Sequence, residues 1–130
     1  MSLAFDTSIL IAIEKKDPGV IKELGKLSRM YNLPAQLPFM SYFEFLYGLK
    51  LQKPKEHKKL LEFLNKFNVL QTTKNSADIL SDLRMKYESI GVVLPLSDLL
   101  IASQVIENNL ILVTMDKDFE KISELKKVIL

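Results

Sequence analysis

Short runs of β-forming residues alternate along this chain with longer segments whose apolar residues recur at helical spacing. This alternation is typical of βα units and predicts an α/β domain with a mainly parallel sheet. The clearest short run, residues 110–114, reads Leu-Ile-Leu-Val-Thr, as in a strand that is covered on both faces. We therefore expect one sheet flanked by helices.

The boundaries of these elements follow from turn residues and helix-capping residues. The predicted strands are 2–6, 36–40, 68–72, 110–114 and 127–130. Helices are predicted over 7–15, from Asp17-Pro18, from Ser41 to before Lys53-Pro54, from Pro54 to 67, from Asn75-Ser76 to Gly91, over 98–108 and over 117–125. Gly91 suits the left-handed conformation that often ends a helix.

The composition fits one domain spanning residues 1–130, since 48% of the residues are hydrophobic and no Gly/Ser-rich or Pro-rich segment divides the chain. The absence of cysteine rules out disulfides and thiolate metal sites, and it fits a cytoplasmic location. No apolar stretch reaches the ~20 residues that span a bilayer, and an early charge at Asp6 argues against a signal peptide. We therefore expect no membrane segment.

The net charge of +2 does not by itself identify a nucleic-acid partner. All but two of the 18 basic residues are Lys, the exceptions being Arg29 and Arg84. Lys contacts phosphate as a point charge, whereas bidentate base recognition favours Arg. This composition disfavours a sequence-specific duplex reader and leaves contact with a polyanion backbone open.

Four carboxylates stand at the starts of predicted helices. Asp6 closes the first predicted strand, and Glu44 and Asp116 each come shortly after a predicted strand. Asp98 opens the sixth helix after Pro95. The carboxyl ends of parallel strands lie along one edge of a sheet, where ligands bind in open α/β folds. Asp6, Glu44 and Asp116 should therefore share that edge, and Asp98 joins them if its preceding loop returns to the same side.

Each of these carboxylates also has a purely structural explanation. Asp6 is a suitable N-cap, and Glu44 completes a capping box with Ser41. Asp98 suits the first turn of a helix, and Asp116 suits a turn or a cap. These alternatives stay open for each residue taken singly.

The four carboxylates taken together are harder to explain structurally. Two carboxylates ~4 Å apart repel each other by ~4 kcal/mol at an effective dielectric near 20. Such a group needs a neutralising cation or partial protonation. An all-oxygen ligand set, without Cys and without a suitably placed His, favours Mg²⁺ or Mn²⁺ over Zn²⁺.

Four segments follow one another in a familiar order: FDTSILI at 5–11, SYFEFLYGL at 41–49, DLLIAS at 98–103 and LVTMDKDF at 112–119. In order and spacing they resemble the PIN domain family, in the small single-domain form found as VapC toxins. The resemblance extends from Asp6 to the closing strand. It implies a five-stranded parallel sheet flanked by helices, and RNA cleavage that depends on Mg²⁺ or Mn²⁺.

The resemblance also assigns roles to individual residues. The acidic quartet of the family is matched by Asp6, Glu44, Asp98 and Asp116. Thr114 matches the hydroxyl of the fourth motif, and Asp118 matches an additional acidic position. Asp116 stands where many relatives have Asn, which adds charge and should not impair metal binding. The resemblance further implies a homodimer and a cognate antitoxin, as in a VapBC pair.

Two further groups of side chains each have a structural and a functional interpretation. Basic residues near the junction of the third and fourth helices form either a solvated face or a phosphate-backbone contact: Lys50, Lys53, Lys55, Lys58 and Lys59. Aromatic residues of the third helix either pack internally or stack on unpaired bases: Phe39, Tyr42, Phe43, Phe45 and Tyr47.

The third and fourth helices are strongly apolar for so small a domain. Their apolar side chains are Leu46, Leu49, Leu60, Leu61, Leu64 and Phe67. The two helices either bury these residues against each other or leave a groove for a partner. In the family that the chain resembles, such a groove takes the antitoxin's C-terminal segment.

Three functions remain in competition at this point. The first is the ribonuclease toxin of a VapBC pair, and the second is a housekeeping RNA-processing PIN nuclease. The third is a non-catalytic PIN-fold module that binds RNA or protein, against which the intact quartet argues. A haloacid-dehalogenase-type phosphatase is excluded, because it needs a second Asp two residues after the first and this chain has Ser8 there.

Overall fold

The computed structural model describes residues 1–52 and 55–130, so that Lys53 and Pro54 lie outside the described residues. Within those ranges the strands form one five-stranded sheet in the order β3-β2-β1-β4-β5, with every neighbouring pair parallel. The strands are β1 Ser2–Phe5, β2 Asn32–Leu37, β3 Asn68–Val69, β4 Ile111–Thr114 and β5 Lys127–Ile129. The predicted α/β fold with a parallel sheet is confirmed.

Helices connect the strands and begin close to the predicted positions. They are α1 Thr7–Glu14, α2 Pro18–Ser28, α3 Phe39–Gln52, α4 His57–Leu64, α5 Lys74–Ser89 and α6 Leu96–Glu107, followed by a 3₁₀ helix at Lys117–Lys121. Asp17 caps α2 by accepting hydrogen bonds from the amides of Gly19 and Val20, as its position before Pro18 predicts. Gly91 follows α5 with φ of +73°, which glycine adopts without strain.

Helices cover the sheet on both faces. Leu3 and Phe5 of β1 belong to one buried cluster, which also takes in residues of α1, α2, α3 and α4. Ala4 of the same strand belongs to the other cluster, formed with α5, α6 and the 3₁₀ helix. Because successive strand residues point to opposite faces, a strand buried on both sides must be apolar throughout. This explains the apolar runs at residues 3–5 of β1 and 111–113 of β4.

The structure differs from the sequence prediction around the second strand. We expected a strand over 36–40 followed by a helix from Ser41, whereas β2 ends at Leu37 and α3 begins at Phe39. The pairing of β1 with β2 shifts register between Ser2 and Ala4, opposite the segment of β2 that contains Pro34. Proline cannot donate to a sheet, and it is tolerated at such an irregularity.

The carboxyl ends of β1, β2 and β4 lead directly into α1, α3 and the 3₁₀ helix. Gln104 of α6, which is fully buried, helps to fix the start of α3. Its Oε1 accepts from the amide of Phe39 at 2.9 Å, and its Nε2 donates to the carbonyl of Leu70 at 3.2 Å. The polar side chain thus ties α3, the end of β3 and α6 together at one edge of the sheet.

The apolar residues of α3 and α4 mostly pack inward. Leu49 and Leu64 are buried, and the partly buried side chains against the same core are Leu46, Leu60, Leu61 and Phe67. Of the two alternatives for these helices, packing against each other and the sheet is the one observed. Within the described residues, the open cleft in this part of the domain lies between α1 and α3, not between α3 and α4. It has a volume of about 160 Å³ and is lined by Ile11 and Gly48, among others.

Among the helices of the described residues, none combines the length and the apolar character needed to cross a bilayer.

The segment before β5 is held to α5 by a buried phenol. The hydroxyl of Tyr87 donates to Glu124 Oε1 at 2.6 Å and accepts from the amide of Ser123 at 3.1 Å. Desolvation alone would raise the pKa of Glu124, but hydrogen bonds from Tyr87, Lys86 and Ser123 outweigh it and lower the pKa to about 2. A charged carboxylate therefore anchors this end of the chain at neutral pH.

We expect Tyr87→Phe to lower the free energy of unfolding by about 1–3 kcal/mol at neutral pH, because two polar groups would lose their partner. Urea denaturation followed by circular dichroism measures the change. Tyr31→Phe is the matched control, since the hydroxyl of Tyr31 makes no hydrogen bond within residues 1–52 and 55–130. Equal stability of the two variants would show that the Tyr87 hydroxyl contributes nothing.

Candidate active site

Asp6 lies at the end of β1 and is almost fully buried, with 7% of its surface exposed. Its Oδ2 accepts a hydrogen bond of 2.7 Å from Thr114 Oγ1, at the end of the neighbouring strand β4. Its Oδ1 accepts from the amide of Thr7 at 2.7 Å, and the hydroxyls of Ser8 and Ser41 lie 3.4 and 3.5 Å from the carboxylate. Several donors thus hold the carboxylate in one orientation.

Thr114 connects Asp6 to the loop that carries the next acidic residues. Its hydroxyl donates to Asp6 and accepts from the amide of Asp116 at 3.0 Å. Ser8 makes a parallel connection, because its Oγ accepts from the amide of Met115 at 3.0 Å. The start of α1 and the loop after β4 are therefore tied together by side-chain hydroxyls.

Glu44 reaches the same region from the second turn of α3. Thr7 Oγ1 donates to Glu44 Oε1 at 3.4 Å, a long hydrogen bond that joins the starts of α1 and α3. Burial, and then the negative charge of Asp6, raise the pKa of Glu44, while the hydrogen bond from Thr7 opposes them. The carboxylates of Asp6 and Glu44 are therefore close enough to repel each other.

Asp98, Asp116 and Asp118 form the tightest acidic group in the described residues. Each offers a carboxylate oxygen within 4.8 Å of those of the other two. Asp98 lies in the first turn of α6, whereas Asp116 and Asp118 come from the loop and the 3₁₀ helix after β4. The Asp118 carboxylate also lies 3.6 Å from the ammonium group of Lys121.

The electrostatic coupling of the site is clearest at Asp98. Burial raises its pKa to about 6, together with repulsion from Asp116, Asp6, Asp118 and Glu44, in that order. The other three predicted quartet members and Asp118 thus all act electrostatically on Asp98, although Asp6 and Glu44 lie outside the close group of three. The group lies at the carboxyl edge of the sheet, as the alternation of strands and helices predicts.

The structure also decides between the structural alternatives for each residue. Asp6 does cap α1, and Asp116 caps the 3₁₀ helix by accepting from the amide of Asp118 at 2.9 Å. The capping box of Ser41 and Glu44 is not formed, because α3 starts at Phe39 and Ser41 is buried inside it. Glu44 is therefore free of that structural role.

Three hydroxyl residues of the site were not identified from the sequence: Thr7, Ser8 and Ser41. Two of them follow Asp6 directly, so a run of Asp-Thr-Ser after a strand is a usable signal. Ser41 is a small polar residue within an aromatic helix, a position that often marks a buried contact. Its contact with Asp6, 35 residues away, is set by tertiary packing.

The lysines of the predicted backbone contact are exposed where the structure describes them. Lys50 lies in the last turn of α3, Lys55 precedes α4, and Lys58 and Lys59 lie in its first turn, whereas Lys53 is outside the described residues. The chain from Phe39 onward leads away from the carboxyl edge and back to the start of β3. A phosphate contact by these lysines remains a prediction.

Comparison with known proteins agrees with this architecture. A family model described as PIN domain matches residues 3–125. Ribonuclease VapC2 of Rickettsia felis is 30% identical over 129 residues, covering 96% of this chain and 95% of that protein.

Solved structures give a similar result. VapBC2 from Rickettsia felis, bound to a DNA fragment from its promoter, contains a chain with a TM-score of 0.84 and 28% identity. That match covers 100% of this chain and 99% of the other. VapBC-1 from nontypeable Haemophilus influenzae has a TM-score of 0.78 and 23% identity, over 99% and 98% of the two chains, and shows the same fold.

We expect Asp98→Asn to stabilise the protein in buffer with EDTA at pH 7.5, by about 1 kcal/mol once solvent screening is allowed for. A carboxyl group with a raised pKa binds more protons in the folded state, so stability falls as pH rises from about 4 to about 6. The difference in unfolding free energy between the variant and the wild type should therefore vanish below pH 4. Thermal unfolding measures this difference, and Asp82→Asn, at an exposed position, is the control. A destabilised Asp98→Asn variant would contradict the repulsion.

We expect Thr114→Val to be less stable than Thr114→Ser, although valine keeps the methyl group that serine lacks. The valine variant leaves the buried Asp6 carboxylate without its 2.7 Å donor, a loss of about 1.5–3 kcal/mol for a hydrogen bond to a charged group. Urea denaturation at pH 7.5 measures the difference. A valine variant more stable than the serine variant would mean that this hydrogen bond has little energetic importance.

Proposed function

This chain belongs to the PIN domain family and is a ribonuclease of the VapC type; we propose that it hydrolyses RNA phosphodiester bonds with Mg²⁺ or Mn²⁺. The observation that carries the proposal is the set of acidic side chains at the carboxyl edge of the sheet, centred on Asp98, Asp116 and Asp118. The kinship with Ribonuclease VapC2 extends over nearly the whole chain. Sequence, fold and site chemistry thus point to the same activity.

The residues at this edge suit a hard divalent cation. Their ligand atoms are carboxylate oxygens, the sequence has no cysteine, and the only histidine, His57, begins α4. Oxygen ligands favour Mg²⁺ and Mn²⁺ over Zn²⁺. Burial, and then repulsion from the neighbouring carboxylates, raise the pKa of Asp98, and a bound cation would relieve that repulsion.

We assign the cation primarily to Asp6, Asp98 and Asp116, with Asp118 and Glu44 as additional acidic groups. When bound, a divalent cation lowers the pKa of water, orients it and neutralises charge at a phosphodiester. Thr114 and Ser8 donate hydrogen bonds to the Asp6 carboxylate and keep it oriented toward the site. The position of this carboxylate is therefore set before a substrate binds. Glu44, exposed and coupled to Asp6, can accept a proton from the attacking water.

The reaction on this assignment is a direct hydrolysis. Water adds to phosphorus, one phosphorus–oxygen bond to the neighbouring nucleotide breaks, and the departing oxygen ends as a hydroxyl. No side chain forms a covalent bond to the substrate. The carboxylates act through orientation, proton acceptance and the binding of charge.

We further propose that the activity belongs to a VapBC-type toxin–antitoxin pair acting on cytoplasmic RNA, with an antitoxin as protein partner. The kinship with VapBC structures supports this assignment. The cleft between α1 and α3, which begins at Glu44 and continues past Gly48 and Gln52, is the groove we assign to the antitoxin segment. A homodimer remains a prediction from the family. A short gene encoded immediately upstream would favour the toxin over a housekeeping nuclease.

We expect purified protein to cleave RNA with Mn²⁺ or Mg²⁺ and to lose cleavage on addition of EDTA. Asp6→Asn and Asp98→Asn should each lower the rate at least about a hundredfold, because each removes charge that the cation and transition state require. Asp82→Asn, on the exposed side of α5, should cleave as the wild type does. Cleavage that survives EDTA and both quartet substitutions would refute the metal-dependent mechanism.

A further inference from the structure

Two aromatic side chains on α3 form an exposed stacked pair. The ring centroids of Phe43 and Tyr47 lie 5.8 Å apart with an interplanar angle of 6°, and their side chains lie one helical turn apart. Phe43 is 45% exposed and Tyr47 is 53% exposed. Such large apolar surfaces are usually removed from water, so their exposure calls for an explanation.

The pair contributes little to the packing of the described residues. Phe45 and Leu49 of the same helix are buried, and Tyr42 and Leu46 pack partly against the core, whereas neither Phe43 nor Tyr47 belongs to a core cluster there. Helical geometry explains the division, because positions 43 and 47 lie on the side of α3 opposite to 45 and 49. Neither ring is therefore part of the buried core of the described residues.

The position of the pair relative to the acidic site is informative. Glu44 follows Phe43 directly and precedes Tyr47 by three residues, so Glu44 and Tyr47 are neighbours on the helix surface. Lys50 lies three residues beyond Tyr47 and is also exposed. Along α3 the exposed residues therefore follow in the order Phe43, Glu44, Tyr47 and Lys50, so that the stacked pair flanks the site carboxylate and the cation comes after it.

This order matches the chemistry of single-stranded nucleic acid. Unpaired bases stack on aromatic side chains, and the phosphates that follow them contact Lys. Lys50 is exposed, so its ammonium group is accessible to such a phosphate. An apolar protein partner would gain nothing from Lys50, whereas a polyanion would.

We propose that Phe43 and Tyr47 are a base-stacking platform that binds an unpaired nucleotide next to the scissile phosphate. The proposal rests on the ribonuclease function stated above and names the side chains that hold the base. Lys50 contacts the backbone phosphate beyond the stacked base. Paired bases are hidden within a duplex, so double-stranded RNA cannot use the platform.

The chain contains no tryptophan, which permits a direct optical test. Tyr47→Trp, made in the Asp98→Asn background to prevent turnover, places the chain's one tryptophan in the platform, where it can be excited selectively at wavelengths that tyrosine does not absorb. We expect saturable quenching of its emission by an unstructured oligoribonucleotide in Mg²⁺ buffer, and little quenching by the corresponding duplex. Met85→Trp in the same background is the control, because Met85 is 72% exposed on α5 and lies outside the platform.

Two further variants separate stacking from charge. Phe43→Ala, added to the Tyr47→Trp protein, should weaken binding of the single strand about tenfold, as loss of a base-stacking ring does. Lys50→Ala should make the plot of log affinity against log salt concentration less steep, by the amount that corresponds to the loss of about one phosphate contact. Thermal unfolding verifies that the exposed substitutions leave the fold intact.

Several outcomes would overturn the proposal. These are equal quenching by single strand and duplex, equal quenching of the Tyr47→Trp and Met85→Trp variants, or an unchanged affinity after Phe43→Ala. A second copy of the chain would cover the pair if, without RNA, the emission changes with protein concentration and the protein sediments faster.

Cleavage by the wild type is assayed in parallel. Cleavage without quenching refutes the platform alone, whereas absence of cleavage refutes the ribonuclease function.

Discussion

The hydrogen bond from Thr114 to Asp6 is the interaction on which the rest of the site depends. It joins the carboxyl ends of β1 and β4, two adjacent parallel strands, through residues that are 108 positions apart in the sequence. Both residues are buried, so the charge of Asp6 is tolerated only because donors from Thr7 and Thr114 compensate for lost water. The same hydroxyl accepts a hydrogen bond from the amide of Asp116, and it thereby positions the acidic loop that follows β4.

The remaining acidic groups accumulate around this fixed carboxylate at an energetic cost. Asp98 shows the cost most directly, since burial and four neighbouring carboxylates raise its pKa to about 6. A protein whose carboxylates served only as helix caps would gain nothing from bringing them so close together. On the proposed function, this repulsion is the energetic cost of a site that can bind a cation, and such a cost is typical of functional sites.

The fold was predictable where local pattern and tertiary packing agree. β1 and β4 are apolar on both faces because helices cover both, and Asp17-Pro18 starts α2 as local rules require. The prediction was wrong at β2 and the start of α3, where Pro34 and Pro38 obscure the strand and the buried contact of Gln104 with Phe39 sets the helix start. No local pattern contains that contact.

In the site, too, local sequence pattern predicts some features and tertiary packing sets the others. The order of strands and helices predicts that Asp6, Glu44 and Asp116 meet at one edge, and that Asp98 joins them if its preceding loop returns to that side. It does not show that Ser8 and Ser41 surround Asp6. Those contacts depend on side-chain packing between elements distant in sequence.

The most direct test of the central claim is anomalous X-ray scattering from crystals of the wild-type protein soaked in Mn²⁺. We expect an anomalous peak within coordination distance of the carboxylates of Asp6, Asp98 and Asp116. A fully occupied Mn²⁺ peak elsewhere, or no peak at this edge at saturating Mn²⁺, would contradict the account.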